Sequence, residues 1–405
     1  KQDLKLSDTQ LGFLTGFAFA LFYAVAGIPI ARWADRGNRN TIIFVTTALW
    51  SAMVALCGLV GNYTQLLLVR VGVAVGEAGC FPPAQSLIAD YFDRAERPRA
   101  MAIYWLCSPI AMIIGYIGGG WLAEFVGWRM TFIVMGVPGV LLAILVKLSL
   151  REPRLKQRST VVVAQPSLKV VLNTLWQQCA FRHIVIAFCV SYFFSMGITV
   201  WVPTFFRRSH GMETGELGIW LALAWGVCGL FGTYLGGELT SRYAAHKEAL
   251  QMRAVAFVFV IWGALYLMVY LSPHKYVALA FMAASGFVIA LTNGPVFSAI
   301  QSLVNDRMRS VAIALVFLLA NLIGLGLGPL AVGALSDLLM PMFGGESLRY
   351  ALVLLLPGFL WVAYHYWAAA NTIEADIRRV ESAAGSIEKE AMLEAGTPVV
   401  SSTST

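Results

Sequence analysis

Charged residues are scarce in this sequence, and their scarcity excludes a soluble protein. Only 13% of the 405 residues are charged, whereas 59% are hydrophobic. A soluble domain carries about a quarter charged residues. A chain this long and this apolar is therefore expected to be an all-α polytopic membrane protein with about eleven or twelve crossing helices. The net charge of +7 then reports membrane topology, and we expect no nucleic-acid partner.

Cysteine and histidine are also too few and too scattered to indicate a cofactor. The six cysteines stand in or beside apolar runs without paired spacing, which favours packing over disulfides or metal ligands. The five histidines fall in loops and near helix ends. No apolar run places a nucleophile beside a base, so we expect no enzyme, no metal site and no cofactor.

Eleven apolar stretches are long enough to cross a membrane as helices. They cover residues 10–31, 41–60, 65–91, 99–124, 129–150, 182–206, 215–241, 253–271, 276–303, 310–336 and 347–370. After the fifth, residues 166–178 form an amphipathic pattern typical of a short helix on the membrane surface, although a flexible linker is equally consistent with the segment before it. The expected regions are an N-terminal bundle (1–150), a cytoplasmic linker (151–181), a C-terminal bundle (182–371) and a cytoplasmic tail (372–405).

The loops between these stretches alternate in charge. Arginine-rich loops, such as residues 32–39 and 93–99, alternate with loops that carry few cations. Because cytoplasmic loops carry the excess of Lys and Arg, the arginine-rich side is predicted to be cytoplasmic. This topology puts Lys1 outside and the C-terminus inside. We expect a multi-pass protein of the cell membrane, in a bacterium the inner membrane.

An internal repeat predicts how the helices are arranged. The sequence from Arg99 to Ala102 is matched by Arg309 to Ala312, and glycines in both parts of the chain keep an offset of about 210. A constant offset that preserves the cytoplasmic turns predicts two parallel bundles, related by an axis along the membrane normal, with a cavity between them. Such a repeat argues against a channel. It also implies six helices in each bundle, so the first helix of the N-terminal bundle is expected to be absent from this sequence.

Three motifs resemble those of the major facilitator superfamily. The turn at residues 31–39, ARWADRGNR, resembles its loop motif G-x-x-x-D-R-x-G-R, with Ala31 and Asn38 in place of the two glycines. Residues 70–77 resemble the fourth-helix motif, and Ser108 with Pro109 and the glycines after them resemble the fifth-helix motif. The resemblance implies a major facilitator fold and secondary active transport by alternating access.

Within that superfamily, the D-R-x-N-R turn and the G-E-A run resemble the spinster family. Its members transport lysophospholipids and sphingosine phosphate, and it has many bacterial relatives. The resemblance covers residues 6–371 and implies a substrate of that class. Spinster proteins also carry an aspartate–arginine pair on the first helix, the helix expected to be absent from this sequence, so the resemblance carries no counterpart of that pair over to this chain.

Arg70 and Glu77 place two charges inside the apolar run 66–91. Seven residues apart on a helix, they share one face and lie about 10 Å apart along its axis. A charge inside a membrane helix costs at least about 3 kcal/mol, so such residues usually face a partner or a wet cavity. Burial favours a neutral Glu77 and the arginine favours a charged one, so Glu77 is the predicted proton-coupling residue. Arg70 is predicted to bind Glu77 or an anionic substrate; the alternative is a permanent bridge that locks two helices.

Further substrate-binding residues are predicted in the second bundle, among aromatic side chains. They are Tyr192, Ser195 and Thr199 on one helix and Thr292 and Asn293 on another. One charged wall and one apolar wall suit an amphipathic anion such as a lysolipid or a sphingosine-phosphate-like lipid. Any single aromatic residue could equally face lipid or the core. A proton-coupled carrier of small organic acids, or a drug efflux antiporter, would share these features. Protons and membrane lipids are the other expected partners, and we expect a monomer.

A gate latch is predicted at the cytoplasmic turn. Asp35, Arg36 and Arg39 lie on the turn, and Arg99 lies on the corresponding loop after the fourth-helix region. A carboxylate with flanking arginines can pair with the N-terminus of a neighbouring helix. Such a latch would hold the cytoplasmic ends of the two bundles together while the cavity is open outward. Topology alone would explain the arginines but not Asp35.

Overall fold

The computed structural model describes residues 3–4, 6–92, 100, 103–104, 107–153, 168–244, 247–303 and 309–394. Within these ranges the chain is helical and contains no strand, which confirms the predicted all-α class. Nine helical stretches there are long and apolar enough to cross a membrane. One of them, Leu315–Val380, contains two crossings, and the shorter Ile110–Phe125 adds another, which makes eleven.

The helices form two bundles in chain order. The first bundle comprises α1 (Asp8–Thr15), α2 (Phe17–Arg36), α3 (Arg39–Leu56), α4 (Tyr63–Ala78), α5 (Phe81–Tyr91), α6 (Cys107–Phe125) and α7 (Gly127–Ser149). The connecting helix is α8 (Leu168–Gln177). The second bundle comprises α9 (Cys179–His210), α10 (Thr214–Leu221), α11 (Cys228–Tyr243), α12 (Glu248–Leu271), α13 (Lys275–Ala290), α14 (Asn293–Ser302), α15 (Arg309–Ala320), α16 (Gly326–Phe343), α17 (Ser347–Leu355) and α18 (Gly358–Glu394).

Local sequence explains where several helices begin and break. Ser7 caps α1: its hydroxyl accepts from the Gln10 amide and the Gln10 side chain accepts from the Ser7 amide, a capping box. The apolar run predicted as one span divides after Ala78, and Pro82 lies in the first turn of α5, where a missing N–H costs nothing. The helix therefore breaks just beyond Glu77. The predicted amphipathic segment forms α8, in which Leu175 is buried and Trp176 is exposed.

The larger apolar core lies inside the second bundle. Phe259 on α12 stacks on Tyr366 of α18 with ring centroids 5.5 Å apart, and Phe194 of α9 meets Phe359 of α18 edge to face at 5.6 Å. These rings are at least nine-tenths buried, Phe359 and Tyr366 almost completely. Aromatic pairs of this kind add about 0.5–1.5 kcal/mol each beyond the burial of their surface. The three helices α9, α12 and α18 thus form one packed unit.

Two seams join the bundles at one end of the molecule, here called the Asp8 end. At the first seam α1 packs on α16, where a Cβ on Gly12 would lie 2.4 Å from the Pro329 carbonyl oxygen. At the second, α6 packs on α10, where a Cβ on Gly218 would lie 2.2 Å from the Tyr116 carbonyl oxygen. Only glycine permits backbones to approach this closely. The bundles are therefore tightly closed at the Asp8 end.

Two π-helical turns interrupt the second-bundle helices that meet the first bundle. One spans Ala222–Val227, between α10 and α11, and the other spans Asn321–Leu325, between α15 and α16. The first packs against α6 and the second against α2. A π turn holds one residue more than an α turn, and such turns are frequent at functional sites. Both lie where the bundles touch.

Candidate functional site

A cavity of about 710 Å³ opens within the second bundle. Its wall carries aromatic rings from five helices and a smaller set of serine, threonine and asparagine side chains. The lining residues are Ser108, Phe188, Ser191, Tyr192, Ser195, Phe259, Trp262, Ile289, Thr292, Asn293, Val296, Phe297, Phe317 and Tyr366. Only Ser108 belongs to the first bundle. None of these residues is charged, so the cavity suits a ligand part that is uncharged, apolar or aromatic.

The polar groups of the cavity differ in how much hydrogen-bonding capacity remains for a ligand. The hydroxyls of Ser191 and Thr292 already donate to the carbonyl oxygens of Phe188 and Ile289. Ser195 and Ser108, in contrast, make no hydrogen bond with the described residues. These two hydroxyls can therefore donate to a ligand without breaking a protein contact.

The structure brings most of the sequence-predicted residues of the second bundle together. Tyr192, Ser195, Thr292 and Asn293 all line the cavity, whereas Thr199, one turn further along α9 from Ser195, does not. The remaining candidates lie in the first bundle and outside this lining.

Not all of the lining residues were predicted from the sequence, and three that were missed are Ser191, Trp262 and Tyr366. Ser191 is four residues before Ser195 on α9, so helical spacing alone could have found it. Trp262 on α12 and Tyr366 on α18 carry no local signal, because an aromatic residue in an apolar run is indistinguishable from core until the helices are assembled. The part of the cavity wall formed by α12 and α18 is therefore defined only when the helices pack together.

Arg70 and Glu77 lie on the same helix, α4, and neither is neutralised by a direct contact. Arg70 lies 5.7 Å from the centre of the Phe19 ring, and its Nε is buried without a hydrogen-bond partner among the described residues. Within the same part of the chain, Glu77 makes no hydrogen bond and no ion pair, although the two charges are close enough to interact electrostatically. Between described residues, Arg70 and Glu77 therefore form no permanent bridge in this conformation.

Tyr23 connects this charged pair with the cavity. Its ring stacks on Phe19 with centroids 6.1 Å apart, so Arg70, Phe19 and Tyr23 follow one another in contact. Tyr23 is also close enough to interact electrostatically with Glu77 and with Tyr192, which lines the cavity. Tyr23 therefore links the charged pair of the first bundle to one wall of the uncharged cavity.

Arg39 forms a buried cluster within the first bundle. Its guanidinium pairs with Asp90 at 2.7 Å and with Glu152, and it donates to the Ser86 hydroxyl at 2.8 Å. Arg39 is completely buried, and the cluster joins α3 to α5 and to the segment after α7. The side chains of Asp35 and Arg36, and the whole of Arg99, lie outside the described residues. The proposed latch between the bundles therefore stays a prediction, with Arg39 placed inside one bundle.

A second polar cluster, the Asp8 clasp, does connect the two bundles. It consists of Asp8 and Thr9 on α1, Arg208 on α9, and Ser336 and Asp337 on α16. The Arg208 guanidinium donates to both oxygens of the buried Asp8 carboxylate at 2.7 and 2.6 Å, and the Ser336 hydroxyl adds a third bond at 2.9 Å.

Asp337 completes the clasp by capping α1 from the other bundle. It accepts from the amides of Asp8 and Thr9 at 3.1 and 2.8 Å and from the Thr9 hydroxyl at 2.6 Å. Helix N-terminal amides lack intrahelical partners and favour a negative charge. Every hydrogen bond that joins the bundles between described residues lies at the Asp8 end, the Gly215 amide to Glu124 bond included.

The Asp8 clasp predicts a conformational effect of Asp8→Asn. Removing one partner of a buried ion pair costs about 3–5 kcal/mol when the other is left unpaired, and less where that partner reaches water, as Arg208 does in part. We expect the population open at the Asp8 end to rise about tenfold to a hundredfold. Distances between spin labels on the ends of α1 and α16 would measure it. Glu216→Gln is the control, because the Glu216–Lys275 pair lies at 3.0 Å within the second bundle; equal shifts in both variants would contradict the prediction.

The chain resembles known transporters over nearly its full length. The family profile described as Major Facilitator Superfamily matches residues 1–329. An MFS-type efflux pump of Mycolicibacterium smegmatis is 33% identical over 381 residues, which are 93% of this chain and 87% of the relative. Protein spinster homolog 1 of Xenopus tropicalis is 26% identical over 415 residues, 94% of this chain and 77% of the relative.

The fold matches a solved structure equally well. The crystal structure of a bacterial homolog to the human lysosomal transporter Spinster, in an inward-facing and unoccupied conformation, superposes with a TM-score of 0.81. It is 28% identical in sequence, and the match covers 92% of this chain and 91% of the other. The predicted two-bundle architecture and the resemblance to the spinster family are both confirmed.

Proposed function

The chain belongs to the major facilitator superfamily, and we propose that this member carries an amphipathic organic anion, coupled to protons, by alternating access. The polytopic helical fold and its relatives support membrane transport in general. The substrate class rests on one observation: an uncharged, ring-lined cavity is linked through Tyr23 and Phe19 to Arg70, which has no ion-pair partner among the described residues. The anionic group would bind Arg70 and the apolar part would enter the cavity.

In this proposal Arg70 binds the charged group and the uncharged cavity holds the rest of the substrate. This separation favours lipids over sugar acids. A sugar acid exposes hydroxyls along its whole length, and each would have to find a partner in a cavity wall made mostly of aromatic and aliphatic side chains. A lysolipid or a sphingosine-phosphate-like lipid instead places all its charge at one end. The uncharged cavity wall therefore fits an acyl or alkyl chain.

The closed Asp8 end supports assigning the structure to one state of the proposed transport cycle. With the predicted topology, the Asp8 end faces outward and the Arg39 end faces the cytoplasm. The two glycine seams and the Asp8 clasp then close the outer side. This is the inward-facing state of the proposed cycle, in which substrate and proton exchange with the cytoplasmic side.

Drug efflux is the second candidate, and one finding favours it. The 33% identical relative from Mycolicibacterium smegmatis is described as an efflux pump, and an aromatic cavity also suits drug-like molecules. The two functions differ in the charge they select, because an unpaired arginine attracts anions and repels lipophilic cations.

A ligand panel tests the proposal. Purified protein in nanodiscs would be titrated with lysophosphatidate, sphingosine phosphate, galactarate and the lipophilic cation tetraphenylphosphonium. We expect the two lipid phosphates to bind at least about tenfold more tightly than either other ligand, since only they engage both sites. Tighter binding of galactarate would support a small-acid carrier, and preference for the cation would support efflux of drugs; either result contradicts the proposal.

A further inference from the structure

Trp262 presents an unpaired hydrogen-bond donor at the cavity. The residue is only 3% exposed, and its indole nitrogen has no hydrogen-bond partner among the described residues. It lines the cavity together with Phe259 and Tyr366, whose rings stack on each other. A buried N–H without an acceptor costs about 1–3 kcal/mol, so native proteins rarely keep one without a purpose.

A second buried tryptophan of the same bundle shows the usual arrangement. Trp201 on α9 is 2% exposed, and its indole nitrogen donates to the Pro329 carbonyl oxygen at 2.9 Å. Trp201 does not line the cavity. The two residues therefore share type, bundle and burial, and differ in whether the protein supplies an acceptor.

We propose that Trp262 is a specificity-determining residue that donates a hydrogen bond to an uncharged oxygen of the substrate. This inference rests on the proposed function and narrows its substrate class. The part of the anion that enters the cavity carries an acceptor, such as an ester carbonyl, an ether oxygen or a hydroxyl, and is not a plain hydrocarbon chain. The aromatic walls hold the chain, and the indole N–H selects the oxygen.

The chemistry of the surrounding wall supports an acceptor over a donor. An indole N–H can only donate a hydrogen bond, so a ligand oxygen beside it raises the binding affinity and a methylene does not. Ser191 and Tyr366, the polar neighbours on this side of the cavity, already interact with each other and with the α9 backbone. A charged group is disfavoured here, because none of the described lining residues could neutralise it. An uncharged acceptor is the complementary group.

The first test compares two phosphates that differ in their chain. Binding of hexadecyl phosphate and of 1-palmitoyl lysophosphatidate to the protein in nanodiscs would be measured for wild type, Trp262→Phe and Trp201→Phe. Phenylalanine keeps a ring and removes the donor. We expect wild type and Trp201→Phe to prefer the lysophosphatidate, and Trp262→Phe to lose about fivefold of that preference, the value of one neutral hydrogen bond. Affinity for hexadecyl phosphate should stay within about twofold in Trp262→Phe.

The second test needs no ligand. The unfolding temperature of the ligand-free protein should fall in Trp201→Phe, because that change leaves the Pro329 carbonyl without its donor. It should not fall in Trp262→Phe, because that change removes a donor that has no acceptor among the described residues. An unchanged chain preference in Trp262→Phe, or a loss of stability equal to that of Trp201→Phe, would overturn the inference. If neither phosphate binds the wild-type protein, the proposed function itself fails, and the inference fails with it.

Discussion

Replacing Arg70 by alanine is expected to abolish substrate binding while the protein still folds. The Arg70 guanidinium has no ion-pair partner among the described residues, so its removal leaves no carboxylate of the protein newly unpaired. The substrate anion, in contrast, would lose the cation that the proposed function assigns to it. Removing one member of a desolvated charge pair at a binding site costs about 2–5 kcal/mol, at least about a thirtyfold loss of affinity. Binding of lysophosphatidate to the purified variant would measure it.

Arg253 offers a matched control for this substitution. Its guanidinium lies 5.6 Å from the centre of the Trp367 ring, an aromatic contact like that of Arg70 with Phe19, and it stands in the second bundle near the start of α12. Arg253→Ala should therefore bind ligand as wild type does, and Arg70→Lys should keep part of the affinity because it keeps the charge. Wild-type affinity in Arg70→Ala would remove this residue from the substrate site.

Glu77→Gln is expected to bind substrate at every pH as tightly as the wild-type protein does at low pH. While Glu77 is charged it competes with the substrate for Arg70, and protonation ends that competition. By linkage, wild-type affinity for the anion should rise as the pH falls, and bound substrate should favour proton uptake by Glu77. Glutamine imitates the protonated form, so the variant should show high affinity without pH dependence. Titrations of lysophosphatidate across the pH range would show this directly.

Transport by the same variant gives a second readout. In liposomes, a pH gradient should no longer drive accumulation by Glu77→Gln, with a fall of at least about tenfold, whereas exchange of substrate without a gradient should continue. Glu216→Gln serves as the control, because it neutralises a carboxylate at the Asp8 end that faces Lys275. If transport by Glu77→Gln keeps the pH dependence of the wild-type protein, Glu77 is excluded from proton coupling. If the variant misfolds, the result favours a structural bridge between Glu77 and Arg70.

Residues with a local signature could be found from the sequence. Arg70 and Glu77 stand out because a charge inside an apolar helix is costly wherever that helix packs. The Pro82–Pro83 pair likewise fixes the division between α4 and α5, since proline cannot continue a hydrogen-bonded turn. Tyr192, Ser195, Thr292 and Asn293 were found because polar groups are rare in these runs.

Residues whose role depends on a distant partner could not be found in this way. Asp8 reads as a helix cap, and only the assembled bundles show that Arg208, 200 positions later, binds it. Trp262 reads as core, because the missing acceptor of its N–H is a property of the packed cavity and not of α12. The same limit explains Thr199: its hydroxyl resembles that of Ser195, but four residues along α9 carry it beyond the cavity.

The two π turns have a consequence for how the bundles move. A helix that contains a π turn can pass the extra residue along its length, which bends or rotates one segment while the other keeps its contacts. In α10–α11 and α15–α16 the segments at the Asp8 end hold the glycine seams, and the segments beyond the turns belong to the opposite end. The second bundle thus contains two points, both in contact with the first bundle, at which its helices can bend. With the predicted topology, we expect the cytoplasmic segments to move while the seams at the Asp8 end stay shut, so that loading of the cavity and opening of the outer side are separate steps with separate barriers.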